Sequence, residues 1–213
     1  DTLQIGRTHG MHAEPITFGF KILNWYDDLC EHREILRFLR NQWEVGKISG
    51  AVGTYAHQDP EVEAAAMEHL GLQTVMISTQ ILARRRYAYF IFALASLASS
   101  LEKFATDIRL MAQTEISEVK EGRGARQKGS SAMPHKSCDL FANPIKSENI
   151  CSLARTMRMY VFPALENQVT WHERDLANSA NERMILPDAA ILMDFMLFRF
   201  KSVMEGLRVF PKQ

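Results

Sequence analysis

Four short stretches hold side chains able to move protons or bind anions. In GSSAMPHK, residues 129–136, Gly129 precedes the paired serines Ser130 and Ser131, with Lys128 just before and Lys136 at the end. A serine is a poor base unless nearby dipoles and cations stabilise its alkoxide, which a closing, water-excluding loop with flanking lysines would supply. The same composition suits a solvated flexible linker. In GRTHGMHAEP, residues 6–15, His9 and His12 stand three apart ahead of a helix. One of them could serve as an acid or base near neutrality. No cysteine or carboxylate set completes a ligand pattern around them, so no metal is expected. Ordinary hydrogen-bonded histidines in a helix-start loop are the alternative.

The other two stretches are rich in arginine. WHERDLANSANER, residues 171–183, gathers His172, Glu173, Arg174, Asp175, Asn178, Ser179 and Arg183. Two arginines beside small hydroxyl and amide side chains suit a phosphate or a carboxylate. STQILARRR, residues 78–86, offers Ser78, Thr79 and Gln80 with three arginines. Solvated charged turns would use the same residues.

Helices must position these segments. After Pro15, well placed for a first helical turn, Ile22, Leu29, Leu36 and Trp43 fall seven apart on one face, with Tyr26 near the seam. Asp27, Asp28, Glu34 and Arg37 lie between them. GKISGAVGTYAHQDP, residues 46–60, has no period and reads as a loop. Asp59-Pro60 then opens a short helix that Gly71 ends. Further helices are predicted over 86–118, over 147–166 with a kink at Pro163, and from Pro187-Asp188 to Leu207. Residues 120–147 form a loop long enough to suggest function. No strand pattern persists. The expected class is all-α, a bundle of long helices in one central domain over residues 1–213.

Composition narrows the function. Lys+Arg and Asp+Glu are 25 each, which argues against a nucleic-acid surface, and 46% hydrophobic residues exclude disorder. Cys30, Cys138 and Cys151 show neither zinc spacing nor a disulfide framework, so a reducing compartment, the cytoplasm, is expected. No signal-peptide pattern is seen. The uncharged run Tyr87–Leu101 is 15 residues with three serines, short of a membrane span, and reads as a buried helix.

In this order the stretches acquire a family likeness. GSSAMPHK, followed by Asn143-Pro144 and Ser147-Glu148-Asn149, resembles the signature loop of the fumarase/aspartase superfamily. GRTHGMHAEP, GKISGAVGTYA, STQ and WHERD with its following Ser and Glu-Arg together resemble the adenylosuccinate lyase family within it, over nearly all 213 residues. The argininosuccinate and muconate relatives differ at GRTHGMHAEP and WHERD.

The resemblance implies long central helices that associate into a homotetramer, with each active site built from three subunits. It implies β-elimination of fumarate from adenylosuccinate, giving AMP, and from SAICAR, giving AICAR, in purine biosynthesis, with no metal or organic cofactor. Ser130 would be the base, and Lys136 and Asn143 would stabilise the aci-carboxylate that develops. His9 would be the general acid and Glu148 its partner. Gln80 would hold the substrate carboxylate or amide, and Arg174, Ser179 and Arg183 the phosphate. Ser131 would position the loop, and Thr8 and Met133 would complete the substrate contacts.

This sequence departs from the family in three places. SCDLFA, residues 137–142, separates Lys136 from Asn143 and must loop out if both reach one carboxylate. Arg85 and Tyr87 stand where the family has an acid and a histidine. The family's N-terminal region, with a further active-site histidine, and its C-terminal domain have no counterpart here. The chain is therefore expected to be a fragment, inactive by itself. A sister lyase acting on another succinyl adduct, a non-catalytic helical scaffold and a plain nucleotide-binding protein are the competing readings.

Overall fold

The computed structural model describes residues 1–122, 132–133 and 141–211. Its first element corrects the sequence reading. Strands β1 (Leu3–Thr8) and β2 (Met11–Thr17) form an antiparallel hairpin, paired from Leu3↔Thr17 to Thr8↔Met11. The turn is His9-Gly10, with φ of 54° and 76°. Two consecutive positive φ values are what a tight hairpin turn needs to match the twist of its strands. Pro15 therefore lies in β2 opposite Ile5, beside a register shift between Ile5 and Arg7, where a missing N–H is tolerated. Helix α1 (Phe18–Trp43) starts instead behind Thr17, whose hydroxyl accepts from the Phe20 amide at 3.1 Å and caps the first turn.

Helix α2 (Pro60–Leu70) matches its signals: Pro60 opens it, and Gly71, at φ 67°, returns its N–H to the last turn. Between α1 and α2, β3 (Val45–Gly46) pairs in parallel with β4 (Gln73–Thr74). Helix α3 (Arg85–Met111) ends one turn or more before the expected Glu118, where Gln113 and Ser117 turn the chain. It is long and apolar enough to cross a membrane, yet its apolar residues from Ile91 to Met111 are mostly buried inside the protein.

Then β5 (Val119–Gly122) lies between β6 (Phe141–Ala142) and β7 (Arg208–Val209). The helix predicted over 147–166 is two helices, α4 (Ile145–Met159) and α5 (Val161–Glu166), broken at Tyr160. Pro163 is the third residue of α5, where no intrahelical N–H bond exists to lose. Helix α6 (Ser179–Gly206) starts about two turns before the predicted Pro187 and carries that proline inside it. Its start is tied by Asn178, whose backbone carbonyl accepts the Glu182 amide and whose Nδ2 donates to the Glu182 carboxylate at 3.0 Å. The helical class stands, with short strands added at the helix ends.

Two compact units make up the chain. The first comprises residues 1–31, 97–156 and 193–213. Its core is aromatic: Trp25 stacks on Phe104 at 5.2 Å, and Phe200 lies 5.8 Å from Phe104. Leu101, Ile108, Ile150, Met196 and Val203 are buried in the same unit. The second unit comprises residues 32–96 and 157–192. There Trp43 meets Phe90 edge-on at 4.9 Å, and Met67 and Ile185 are buried.

Candidate active site

In the first unit the hairpin tip carries Thr8 and His9, both exposed. A histidine at φ 54° sits in a region that non-glycine residues visit rarely, at a cost of about 1 kcal/mol or more. The hairpin is held by charge. Arg7 makes a two-pronged bond to Glu118, Nη1 to Oε2 at 2.9 Å and Nη2 to Oε1 at 2.7 Å. Gln4 adds Nε2 to Oε2 at 2.8 Å. Burial by itself would raise the Glu118 carboxyl, but the donations from Arg7 and Gln4 and the charges of Arg7 and Lys21 outweigh it and hold the group below the ordinary glutamate range. The same bond raises the Arg7 guanidinium against the opposing effect of burial.

A second buried carboxylate fixes the start of α4. Glu121, 2% exposed, accepts from the Ser147 amide at 2.8 Å, the Ser147 hydroxyl at 2.5 Å and the Lys146 amide at 3.2 Å. A negative group on the open amides of a helix N-terminus is favoured by hydrogen bonding and by the helix dipole. Glu148 lies in that first turn and is exposed, and half-buried Asn143 stands just ahead of the helix with its carbonyl accepting the Ile145 amide at 2.7 Å. Phe141 and Ala142 pair with Gly122 and Glu121. Ser130, Ser131 and Lys136 lie outside the described residues, whereas Met133 is described and exposed.

In the second unit two loops and a helix start converge. The Gln80 amide donates to the Glu173 carbonyl at 3.2 Å, joining the STQ and WHERD segments. Arg84 pairs with Glu182 at 2.9 Å, both side chains only 11% exposed, and stacks over the Tyr87 ring at 4.5 Å. Arg86 donates to the Gln42 carbonyl at 2.5 Å; burial and the neighbouring Arg85 charge lower its guanidinium below the usual arginine range. Two of the three arginines expected to attract anions are thus committed inside the protein. Tyr87 supplies the ring on which Arg84 lies.

Asp175 turns its carboxylate onto the Trp171 amide and onto the Ala177 amide at 2.7 Å. Those backbone donations lower it below the usual aspartate range. They shape the bend that carries half-buried Arg174 toward α6, where Ser179 and Arg183 fall one turn apart on the same face. An open cavity of about 710 Å³ is lined by Ser78, Thr79, Arg85, Thr170 and His172 among others. Gln80 is exposed and outside that lining.

The predicted site residues therefore divide. Thr8, His9, Met133, Asn143 and Glu148 belong to the first unit, and Gln80, Arg174, Ser179 and Arg183 to the second. Sequence reasoning missed the residues that hold these segments: Arg7, Gln4, Glu118, Glu121 and Glu182, together with Lys47, which donates to the Thr79 and Gln80 carbonyls, and Glu63, which accepts the Ile48 amide. Arg7 and Lys47 do lie inside quoted motifs, GRTHG and GKISG, and that adjacency was the available signal.

A family model described as lyase matches residues 1–158. Adenylosuccinate lyase from Staphylococcus saprophyticus is 51% identical over 209 residues, covering 98% of this chain and 47% of that protein. Adenylosuccinate lyase from Aquifex aeolicus is 52% identical over the same share of each. Among solved structures, fumarate lyase from Mesorhizobium sp. BNC1 superposes with a TM-score of 0.84 at 29% identity, covering 99% of this chain and 46% of that one. The chain spans about half the length of the curated relatives it matches.

Proposed function

The chain belongs to this lyase family, and from that premise we propose that it is the central helical part of an adenylosuccinate lyase, eliminating fumarate from adenylosuccinate and from SAICAR in purine biosynthesis. What carries the reading is the likeness to proteins of that name along 98% of the chain.

In this reading Ser130 takes the proton from the carbon beside a substrate carboxylate. The electron pair moves into an aci-carboxylate, which Lys136 and Asn143 stabilise. The carbon–nitrogen bond then breaks, and His9 gives a proton to the departing nitrogen. His9 and Glu148 are both exposed. Their pairing would join neighbouring copies of a homotetramer, as an active site built from several subunits requires. Association is supported by the apolar side chains along α6: Met184 and Ile191 are 66% and 68% exposed, and Phe198 is 71% exposed. Arg174, Ser179 and Arg183 hold the phosphate near the α6 N-terminus, where backbone amides favour an anion. Gln80, Thr8, Ser131 and Met133 complete the substrate contacts. The reaction needs no metal or organic cofactor, and its setting is the cytoplasm.

The test is fumarate release from adenylosuccinate by the full-length protein and its Ser130→Ala variant. Loss of a general base should lower turnover about 10²–10⁴-fold. Undiminished turnover in the variant would remove Ser130 from its role. The inserted 137–142 and the altered Arg85 and Tyr87 favour a second reading, a helical scaffold without catalysis. A folded wild-type protein that releases no fumarate would put that reading first.

A further inference from the structure

An ammonium group has three protons, and in this fold each proton of one lysine has an acceptor. Lys47 Nζ lies 3.0 Å from the carbonyl oxygens of Gly50, Thr79 and Gln80. The first belongs to its own loop; the other two are 32 and 33 residues further along, in the STQ segment. Other contacts join the same two loops. Ser49 Oγ and Ser78 Oγ are 3.0 Å apart. Gly53, at φ 83°, brings its backbone so close to the Ser78 carbonyl that any Cβ would collide with it.

The loop that bears Lys47 is itself anchored. Glu63 on α2, 1% exposed, accepts from the Ile48 amide at 2.6 Å and the Tyr55 hydroxyl at 2.8 Å. That bond raises the Tyr55 phenol above its usual range. Lys47 is therefore presented from a fixed base to a segment that carries no helix of its own. Gln80 is held at both ends of its backbone: its N–H goes to Glu173 and its carbonyl to Lys47. The bonds that fix this backbone fix the Gln80 Cα–Cβ direction, and with it the point from which the side chain reaches out.

We propose that Lys47 is a positioning residue for substrate binding, acting through Gln80 by fixing the Thr79-Gln80 backbone. The inference rests on the lyase reading, in which Gln80 holds the substrate carboxylate or amide. A group that binds substrate and transition state alike affects KM rather than kcat when it is lost. Lys47→Met should therefore reproduce the loss of Gln80, not the loss of a catalytic group.

The experiment compares the full-length wild type with Lys47→Met, Lys47→Arg, Gln80→Ala and the Lys47→Met/Gln80→Ala double variant, measuring fumarate release from adenylosuccinate. Lys47→Met should raise KM about tenfold with kcat changed less than about threefold. The double variant should be no worse than Gln80→Ala, since both changes remove one contact. Lys47→Arg should restore part of the binding, because its donors reach some of the carbonyls. Amide hydrogen exchange over residues 78–82 should quicken in Lys47→Met while α3 stays protected. An unchanged KM, or effects of Lys47→Met and Gln80→Ala that multiply, would overturn the inference. If Lys47→Met does not fold, Lys47→Arg decides by the same comparison with Gln80→Ala. A wild type that releases no fumarate sinks the lyase reading instead, and with it the substrate role of Lys47. The exchange arm then still decides whether Lys47 holds the loop.

Discussion

In the first unit the hairpin that carries His9 is held by a buried carboxylate, Glu118, accepting from Arg7 and Gln4. In the second unit the segment that carries Gln80 is held by a cation, Lys47, donating to backbone carbonyls. Both arrangements saturate a charged group with hydrogen bonds, which is what makes a partly buried charge tolerable. They differ in what they grip. Side-chain pairing fixes two residues of one strand, Gln4 and Arg7, and lets the strand ladder transmit their position to the turn. Carbonyl pairing fixes the backbone at Gln80 directly. They also differ toward acid, because a carboxylate can be protonated and lose its donors, while a carbonyl has no such state to enter.

The largest effects should separate the two regions kinetically. On the roles proposed above, His9→Ala in the full-length protein should lower kcat about 10²–10⁴-fold with little change in KM, as loss of a general acid does. Gln80→Ala should raise KM about tenfold with kcat nearly kept. If both variants move the same parameter, the division into a reacting region and a holding region fails.

Next in size is Glu118→Gln, which leaves Arg7 without its charged partner and should cost about 2–3 kcal/mol in urea unfolding near neutral pH. Its pH dependence sharpens the point. The folded Glu118 titrates below the ordinary glutamate value of 4.5, so its contribution is fully present above that value. It is lost as pH falls through the lower folded value. The wild type should therefore destabilise more steeply than Glu118→Gln as pH drops below about 4.5. Parallel curves would show that the carboxylate does not anchor the hairpin. The raised Arg7 works in the opposite sense: its contribution is present below the usual arginine range and is lost only as pH rises through the still higher folded value, outside this window.

The smallest effects come from two glycines. Gly10 at the hairpin tip has φ 76° and open space around it, so Gly10→Ala should cost only the backbone term, about 1 kcal/mol. Gly53→Ala adds a collision with the Ser78 backbone and should cost about 2 kcal/mol or more. Thermal melts of the two variants give the comparison, and equal losses would mean that the two loops in the second unit are not packed closely together.

How legible the molecule was depends on the range of the interaction. Helix α2 was readable at both ends because Asp59-Pro60 and Gly71 act on their own turn. The long helices were readable from their spacing, although their ends shifted: α1 starts where the Thr17 hydroxyl caps it, and α6 starts at Asn178, whose backbone carbonyl takes the Glu182 amide. The hairpin was not readable. Residues Met11 to Pro15 of β2 are all exposed, so no alternation marks the strand, and His-Gly is a weaker turn signal than Asn-Gly. The break at Tyr160 was likewise assigned to Pro163, the more familiar helix breaker.

The order of motifs, the helical class and the types of reacting group belong to the sequence alone, because each follows from residue identity or from spacing within a few turns. Which charge meets which group was decided by the tertiary structure. Arg7 and Glu118 are 111 residues apart, and Lys47 reaches carbonyls 32 and 33 residues away. A lysine or glutamate can take many partners, and its choice depends on where packing of the core brings the backbone. That packing, unlike helical periodicity, has no local record in the chain.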